Sequence, residues 1–429
     1  MPDTLKKLVA NLATVAIKSA DPHIVVDTAL YDAPLTPLDR GVYKVISVGK
    51  AANMMMRAVI DNMPKTQKFE AVVVTNYENA LDSGTGKIAD VDYIAAGHPI
   101  PDENGISAGV KVEKLLQTAT ANDHVICLIS GGGSALLPTP AGNLTLAEKA
   151  EISHMMLSEG LDILEMNSVR QHLSRLKGGG MLRVAAPAPV TAFILSDVIG
   201  DDLRVIASGP TVTPIAPRQA VCDMLHEKGL FEKLPDSAKA LFKQNQMDEL
   251  DSNVQNHLVG SNRLSLDAML AAMPNEDIFL VSDRLVGDVA EACEAIVSAV
   301  DMDTITHRKI FIWGGETTVH IKGDGLGGRN QELALRVALA AEGWGCDFAF
   351  GSIGTDGRDG PTDAAGGIVD NHTVEKLRKA GLDPLDVLAR NDSYNGLKSA
   401  GDLLITGATG TNVADIQILV CQPRQNLSH

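Results

Sequence analysis

A chain of 429 residues exceeds one ordinary core, and at roughly 100–200 residues per domain it points to two domains. Its 45% hydrophobic and 21% charged residues are the balance of a folded globular protein and exclude a disordered or fibrous one. A formal net charge of −17 argues against nucleic acid or anionic membranes as partners, and any anionic substrate would have to be met by local Lys, Arg and oriented backbone N–H groups.

Residues 1–21 carry an amphipathic helical pattern, with charges at Asp3, Lys6, Lys7 and Lys18, and lack the apolar core of a secretory signal. Apolar runs of strand length then alternate with helix-period segments, the pattern of parallel sheets covered by helices on both faces, so the fold class is α/β. Strands are predicted at 42–48, 71–75, 93–96, 124–130 and 190–196, with helices at 50–62, 106–119, 146–158 and 169–176. Between about 208 and 256 the chain turns helical and polar, and the domain boundary is placed there, dividing 1–245 from 246–429. A second series follows: a strand at 258–260, a helix at 261–273, a strand at 278–282 and a helix at 288–300. Strands at 310–313 and 318–321, a helix at 330–341, a strand at 346–352, short helices and a last strand at 416–420 complete it. No run of 18 apolar residues occurs, so the expected location is the cytoplasm. Cys127, Cys222, Cys293, Cys346 and Cys421 are far apart, form no C-x-x-C pair and read as reduced, mostly structural thiols.

Several segments could carry chemistry. In HVICLISGGGSALL a buried-type strand runs into Ser130, Gly131, Gly132, Gly133 and Ser134. Three glycines between serines let the backbone approach an anion and turn N–H groups toward it, whereas a plain turn needs one. In KVISVGKAANMMM, Lys50 opens a helix directly after a strand, where its charge adds to a site favourable for anions; taken alone it reads rather as a solvated lysine at a helix start, and a second anion site beside it favours the first reading. WGGETTVHIKGDGLGGRNQELAL holds a literal G-x-G-x-x-G at Gly323, Gly325 and Gly328, but Arg329, Asn330 and Gln331 follow where a dinucleotide fold packs small residues. Arg329 reads better as a bidentate clamp for phosphate or carboxylate, and Glu316 as an acid/base group or a solvated turn carboxylate. Asp197 and Asp356 follow predicted strands and could hold Mg²⁺, which takes few protein ligands; plain Asp/Gly turns would look the same. EMNSVRQHLSRLKGGG gathers Asn167, Arg170, His172, Arg175 and Lys177 near a helix end, where cations are ordinary partners of the helix dipole, though their density in so acidic a chain suggests an anion site. GTGK at 84–87 lacks the first glycine and the Ser/Thr of a Walker A loop and is rejected, and His98 of GHPIPDENG is read as incidental to a rigid loop.

Taken in order, VGKAANMM, GHPIPDENG, LISGGGSALLPTP, MNSVRQHLSRLKGGG, SDVIGDDLRVIASGPT, WGGETTV, GGRNQELAL and GTDGRDGPTDAAGG resemble the glycerate 2-kinase family, whose members also bear the name hydroxypyruvate reductase. The resemblance implies a Rossmann-like N-terminal domain, a smaller MOFRL-type α/β C-terminal domain and an active site in the cleft between them. It implies ATP and Mg²⁺, D-glycerate as the small-molecule substrate and 2-phosphoglycerate as product. Carried over by motif, Lys50 and Arg329 would be catalytic and Ser130–Ser134 would serve the nucleotide. From the chemistry of the residues themselves, Asp197 would bind metal or accept a proton. Lys177, Glu316 and Asn330 would contact substrate, with Asp356 a second metal ligand. The alternative is an NAD(P)H-dependent hydroxypyruvate reductase, motivated by GDGLGG. The oligomeric state, a homo-oligomer included, stays open.

Overall fold

In a computed structural model that describes residues 2–80, 88–244 and 253–424, the apolar runs of the first half assemble into one six-stranded sheet. The boundary expected at 245/246 and the rejected turn at 84–87 lie outside the described residues. The strands are β1 (Tyr43–Val48), β2 (Phe69–Asn76), β3 (Val91–Ala96), β4 (His124–Ile129), β5 (Val190–Leu195) and β6 (Val254–Gly260), in the order β3-β2-β1-β4-β5-β6. β1 pairs in parallel with β2 and β4, β2 with β3, and β4 with β5. Every residue of β1 and nearly every residue of β4 is buried, as a continuous apolar run requires at the centre of a doubly covered sheet. The order is that of a Rossmann-like fold, and it reverses between β1 and β4, bringing the loops that leave these two strands side by side.

Local signals explain where the helices begin. Helix Leu146–Ser158 starts after Thr145, whose hydroxyl accepts the Glu148 N–H at 3.2 Å while Glu148 accepts the Thr145 N–H at 2.7 Å. Asp162 and Glu165 repeat this box before helix Ile163–His172.

The second sheet contains β7 (Asp277–Asp288), β8 (Lys309–Thr318), β9 (Cys346–Gly354), β10 (Gly366–Asp370), β11 (Leu403–Leu404) and β12 (Asp415–Pro423), ordered β11-β10-β9-β12-β8-β7. Only β7 and β8 pair in parallel; β12 enters antiparallel between β8 and β9, and β10 pairs antiparallel with β9. The strand expected at 310–313 runs on to Thr318, because Gly315 to Thr318 stay paired with β7, and residues 319–321 of the strand expected at 318–321 lie outside any strand. Strand β10 was not expected, since Gly366, Gly367 and Asp370 leave it only two apolar residues.

Contacts divide the chain into two units. One comprises Pro22–Ser196 and Asp201–Val259; the other comprises the chain up to Asp21, Asp197–Gly200 and the chain from Gly260 onward. The first helix, Pro2–Ser19, belongs to the second of these. Its stripe of Leu5, Val9, Leu12, Ala13 and Ala16 packs in one core with Ile310, Ile312, Ile353, Ile416 and Ile418, and Lys6 Nζ reaches Asp402 Oδ1 at 2.6 Å. All five cysteines are free thiols, and among the described residues no helix is long and apolar enough to cross a membrane.

Removing the buried side chain of Leu12 leaves a cavity under the second sheet. Leu12→Ala is expected to cost about 2–5 kcal/mol, measured as a fall in the guanidinium unfolding midpoint. An unchanged midpoint would show that the helix contributes no core.

Candidate active-site residues

In the first unit the loops after β1 and β4 carry the expected anion binders, and they are bonded to each other. Lys50 N donates to Gly131 O at 2.9 Å, and Ala51 N donates to Ser130 Oγ at 3.2 Å. Gly49, at φ +125°, permits this approach, since a Cβ there would lie 2.1 Å from Ser130 Oγ. Gly132, at φ +86°, precedes the helical turn Gly133–Leu136, and a Cβ on it would stand 3.1 Å from His98 and 3.4 Å from Lys50 Cγ. Ser134 Oγ lies 2.9 Å from Ser208 Oγ and accepts from Lys177 Nζ at 2.7 Å; the same Nζ donates to Ser134 O at 2.8 Å. Ala207 and Ser208 are left-handed at φ 49° and 62°, a conformation costing about 1–3 kcal/mol per residue and found preferentially at functional sites. The Ser208 carbonyl, accepting from Gly178 N at 3.0 Å and Gln171 Nε2 at 3.2 Å, helps hold it there.

A cavity of about 410 Å³ is lined by His98, Gly132, Ser134, Lys149, Arg170 and Lys177, with apolar walls that include Pro99, Pro101 and Leu146. Burial, reinforced by Lys149 and Arg170, holds the Lys177 ammonium well below the ordinary lysine range. Burial and then the charges of Arg170 and Arg175 bring Lys149 down to about 7. His98 is lowered by burial and by Lys50.

In the second unit, Arg329 opens helix Arg329–Ala340. Its guanidinium clasps Asp415 through Nε–Oδ2 at 2.6 Å and Nη2–Oδ1 at 3.0 Å, and Nη2 also pairs with Glu316 at 3.2 Å. Burial opposes the charge of Arg329, but Asp415 and Glu316 outweigh it and raise its pKa. Gly328 has no side chain to cap the helix, so Asp359 does, accepting the N–H groups of Asn330 at 3.1 Å and Gln331 at 2.8 Å. Burial pushes the Asp359 carboxyl up to about 6 against those two bonds. Asn330 is fully buried and its Oδ1 accepts from Ser352 Oγ at 2.6 Å, so it braces the helix start. Glu316, Arg329 and Asp359 line a cavity of about 520 Å³. Asp356 stands three residues before Asp359, its Oδ1 accepting the Arg358 N–H at 2.9 Å. Asp197 follows β5, is half-buried and falls within the second unit. Among the described residues no group of three or more His, Cys, Asp or Glu side chains converges as a metal cluster, though Mg²⁺ asks for only one or two.

The structure thus gathers Lys50, Ser130–Ser134 and Lys177 in one unit and Glu316, Arg329 and Asn330 in the other. Sequence reasoning passed over Lys149, Asp359 and Asp415 and set His98 aside. An acid opening the apolar strand DIQILV was a readable signal for Asp415, but a lysine in a capped helix gave none.

Part of the GDGLGG turn is bonded internally. Gly323 N donates to Asn391 Oδ1 at 3.0 Å, Gly325 N to Arg390 O at 2.8 Å and Leu326 N to Asp392 Oδ1 at 3.0 Å. With Asp359 also holding the N–H groups of Asn330 and Gln331, these five donors are already engaged and are not offered to a pyrophosphate as a dinucleotide fingerprint would offer them.

A doubly wound sheet with cations at its switch point, and a second unit built around an arginine–carboxylate clasp, define a two-unit α/β protein of the kind that handles small anions. Residues 8–243 match the family described as a domain of unknown function, DUF4147, and residues 309–415 match the MOFRL family. The chain is 40% identical over 424 residues to the D-glycerate 2-kinase of Thermotoga maritima, covering 97% of this chain and 98% of that one. It is 35% identical to an Agrobacterium vitis protein named for hydroxypyruvate reductase, covering 97% and 94%. The crystal structure of glycerate kinase from Thermotoga maritima matches with a TM-score of 0.89 at 39% identity, over 97% of this chain and 99% of that one. The chain therefore belongs to the glycerate 2-kinase family, with its DUF4147 and MOFRL parts.

Asp359 generates a pH signature. Its folded pKa of about 6 lies above the unfolded value of about 3.9, so its stabilising contribution is present below about pH 4 and is lost as pH rises through about 6. The loss amounts to up to about 3 kcal/mol, and Asp359→Asn is expected to flatten the fall in melting temperature over that window. An unaltered slope would show a carboxyl already ionised in the folded protein.

Proposed function

We propose that this chain is an ATP-dependent D-glycerate 2-kinase, transferring the γ-phosphoryl group of ATP to the C2 hydroxyl of D-glycerate to give 2-phosphoglycerate and ADP. The observation that carries it is the 40% identity to a D-glycerate 2-kinase over 97% of the chain. Phosphoryl transfer needs positioning and charge neutralisation and no covalent nucleophile, and the residues present suit that demand. The Ser130–Ser134 loop holds the nucleotide, with Lys50 beside Gly132 supplying charge to the phosphoryl group. Arg329 supplies a second charge or clamps the glycerate carboxylate; Asp415 and Glu316 engage its Nε and Nη2, so its Nη1 hydrogens are the donors to offer. Lys177 and Glu316 contact the substrate, and Asn330 acts through the helix start that it braces.

When bound, Mg²⁺ neutralises charge on the phosphate oxygens. Asp356 would help hold it, because its carboxylate accepts one backbone N–H at 2.9 Å and a carboxylate has about four acceptor sites. Asp197 would share the metal or take the proton of the C2 hydroxyl. A hydride-transfer reading has the Agrobacterium vitis name on its side. The GDGLGG turn speaks against it, since the Gly323, Gly325 and Leu326 N–H groups are bonded within the protein.

In an assay containing ATP, D-glycerate, hydroxypyruvate and NADH, ADP is expected to form only when D-glycerate is present. NADH oxidation without ADP would overturn the reading. Lys50→Ala and Arg329→Ala are each expected to lower kcat by about 10²–10³-fold. Asp415→Asn, which loosens the Arg329 clasp, is expected to lower kcat/KM by about 10–100-fold, with a smaller loss if Glu316 alone holds the guanidinium.

A further inference from the structure

Three cations from separate elements converge on the 410 Å³ cavity: Lys149 of helix Leu146–Ser158, Arg170 of helix Ile163–His172 and Lys177 of the turn that follows. The two lysines contact uncharged oxygens. Lys177 Nζ is bonded to Ser134, and Lys149 Nζ donates to the Pro138 carbonyl. Among the described residues none of the three is ion-paired, whereas the adjacent Arg175 is clasped by Glu113 at 2.6 and 2.8 Å. The lining contains no Asp or Glu, in a chain with 54 acidic and 37 basic residues. Neighbouring like charges out of water oppose folding, and a cluster retained without a counter-charge is a binding site waiting for an anion. The Pro99, Pro101 and Leu146 walls lower the local dielectric and strengthen the attraction such an anion would feel.

We propose that Lys149, Arg170 and Lys177 form a binding site for the phosphate group of a small molecule, either a nucleotide or a phosphorylated hydroxy acid. The site rests on the kinase reading only for this pair of ligands. A phosphate group carries up to two charges and three acceptor oxygens, which match the three cations better than a single carboxylate does. Binding also draws protons in. Without a ligand Lys149 titrates near 7 and Lys177 lies well below the ordinary range, and a bound anion favours the protonated form of both. The charges that act on the cluster and on its lining are chiefly cationic, with Glu78 opposing them only at His98. Arg170 and Arg175 depress Lys149, while Arg170 and Lys149 depress Lys177. His98 is itself lowered by burial and Lys50. Glu113 is paired to Arg175, and Glu148 is bonded to Thr145 and Ser237.

The test is calorimetric titration of inorganic phosphate, ADP and 2-phosphoglycerate into the full chain and into Lys149→Met and Arg170→Met at pH 8, in two buffers of different ionisation heat. The wild type is expected to bind a phosphate ligand with net proton uptake, and each variant to weaken it about tenfold or more, without a lower melting temperature. Weakening confined to ADP identifies the nucleotide as the source, and weakening confined to 2-phosphoglycerate identifies the acid; both support the site. Unchanged affinities in folded variants overturn it, as does a lowered melting temperature with unchanged affinity, which marks structural lysines. Normal phosphate binding by both variants alongside wild-type turnover of D-glycerate sinks the site and spares the kinase. Binding with proton uptake but no turnover does the reverse.

Discussion

The contact between Gly49 and Ser130 is the constraint on which the first unit's chemistry depends. β1 and β4 are parallel neighbours at the point where the sheet reverses its winding, so the chain leaves both strands at the same edge. The two exits fit only because one carries a glycine at φ +125°, with no Cβ to strike the serine. Once they are locked by the Lys50–Gly131 and Ala51–Ser130 bonds, the positions of Lys50, Gly132 and Ser134 follow, and Ser134 in turn fixes Lys177.

The two units solve opposite electrostatic problems. The second unit gives its key cation two carboxylates, so Arg329 stays charged and oriented at any working pH, and the strain falls on the acids that share the site. The first unit leaves three cations among uncharged oxygens and apolar walls, and the strain falls on the cations. A net charge of −17 makes this segregation necessary, since a diffuse acidic surface repels the phosphates and carboxylates a glycerate kinase must gather.

Much of this was legible in the chain. The strand–helix alternation gave five of the first sheet's six strands and helix Leu146–Ser158; the sixth strand, β6, was foreseen only at 258–260 and assigned to the second series, although it closes the first sheet. The SGGGS loop and Lys50 were readable because glycines and a lysine at strand exits have a local reason to be there. What escaped depended on partners distant in sequence. Asp415 acquires its meaning from Arg329, 86 residues away, and Lys149 from Arg170 and Lys177 on other elements. β10 was hidden by glycines that lower apolar content, and the attachment of helix Pro2–Ser19 to the second unit is a tertiary choice that an amphipathic stripe leaves undetermined.

The central claim concerns where one phosphoryl group ends up. Proton-coupled phosphorus NMR of the product made from ATP and D-glycerate reads this directly, because an ester at C2 has one vicinal proton and an ester at C3 has two. The account predicts a new phosphomonoester doublet growing in step with ADP. A triplet would place the phosphate on C3, and the absence of any new phosphomonoester would contradict the kinase assignment itself.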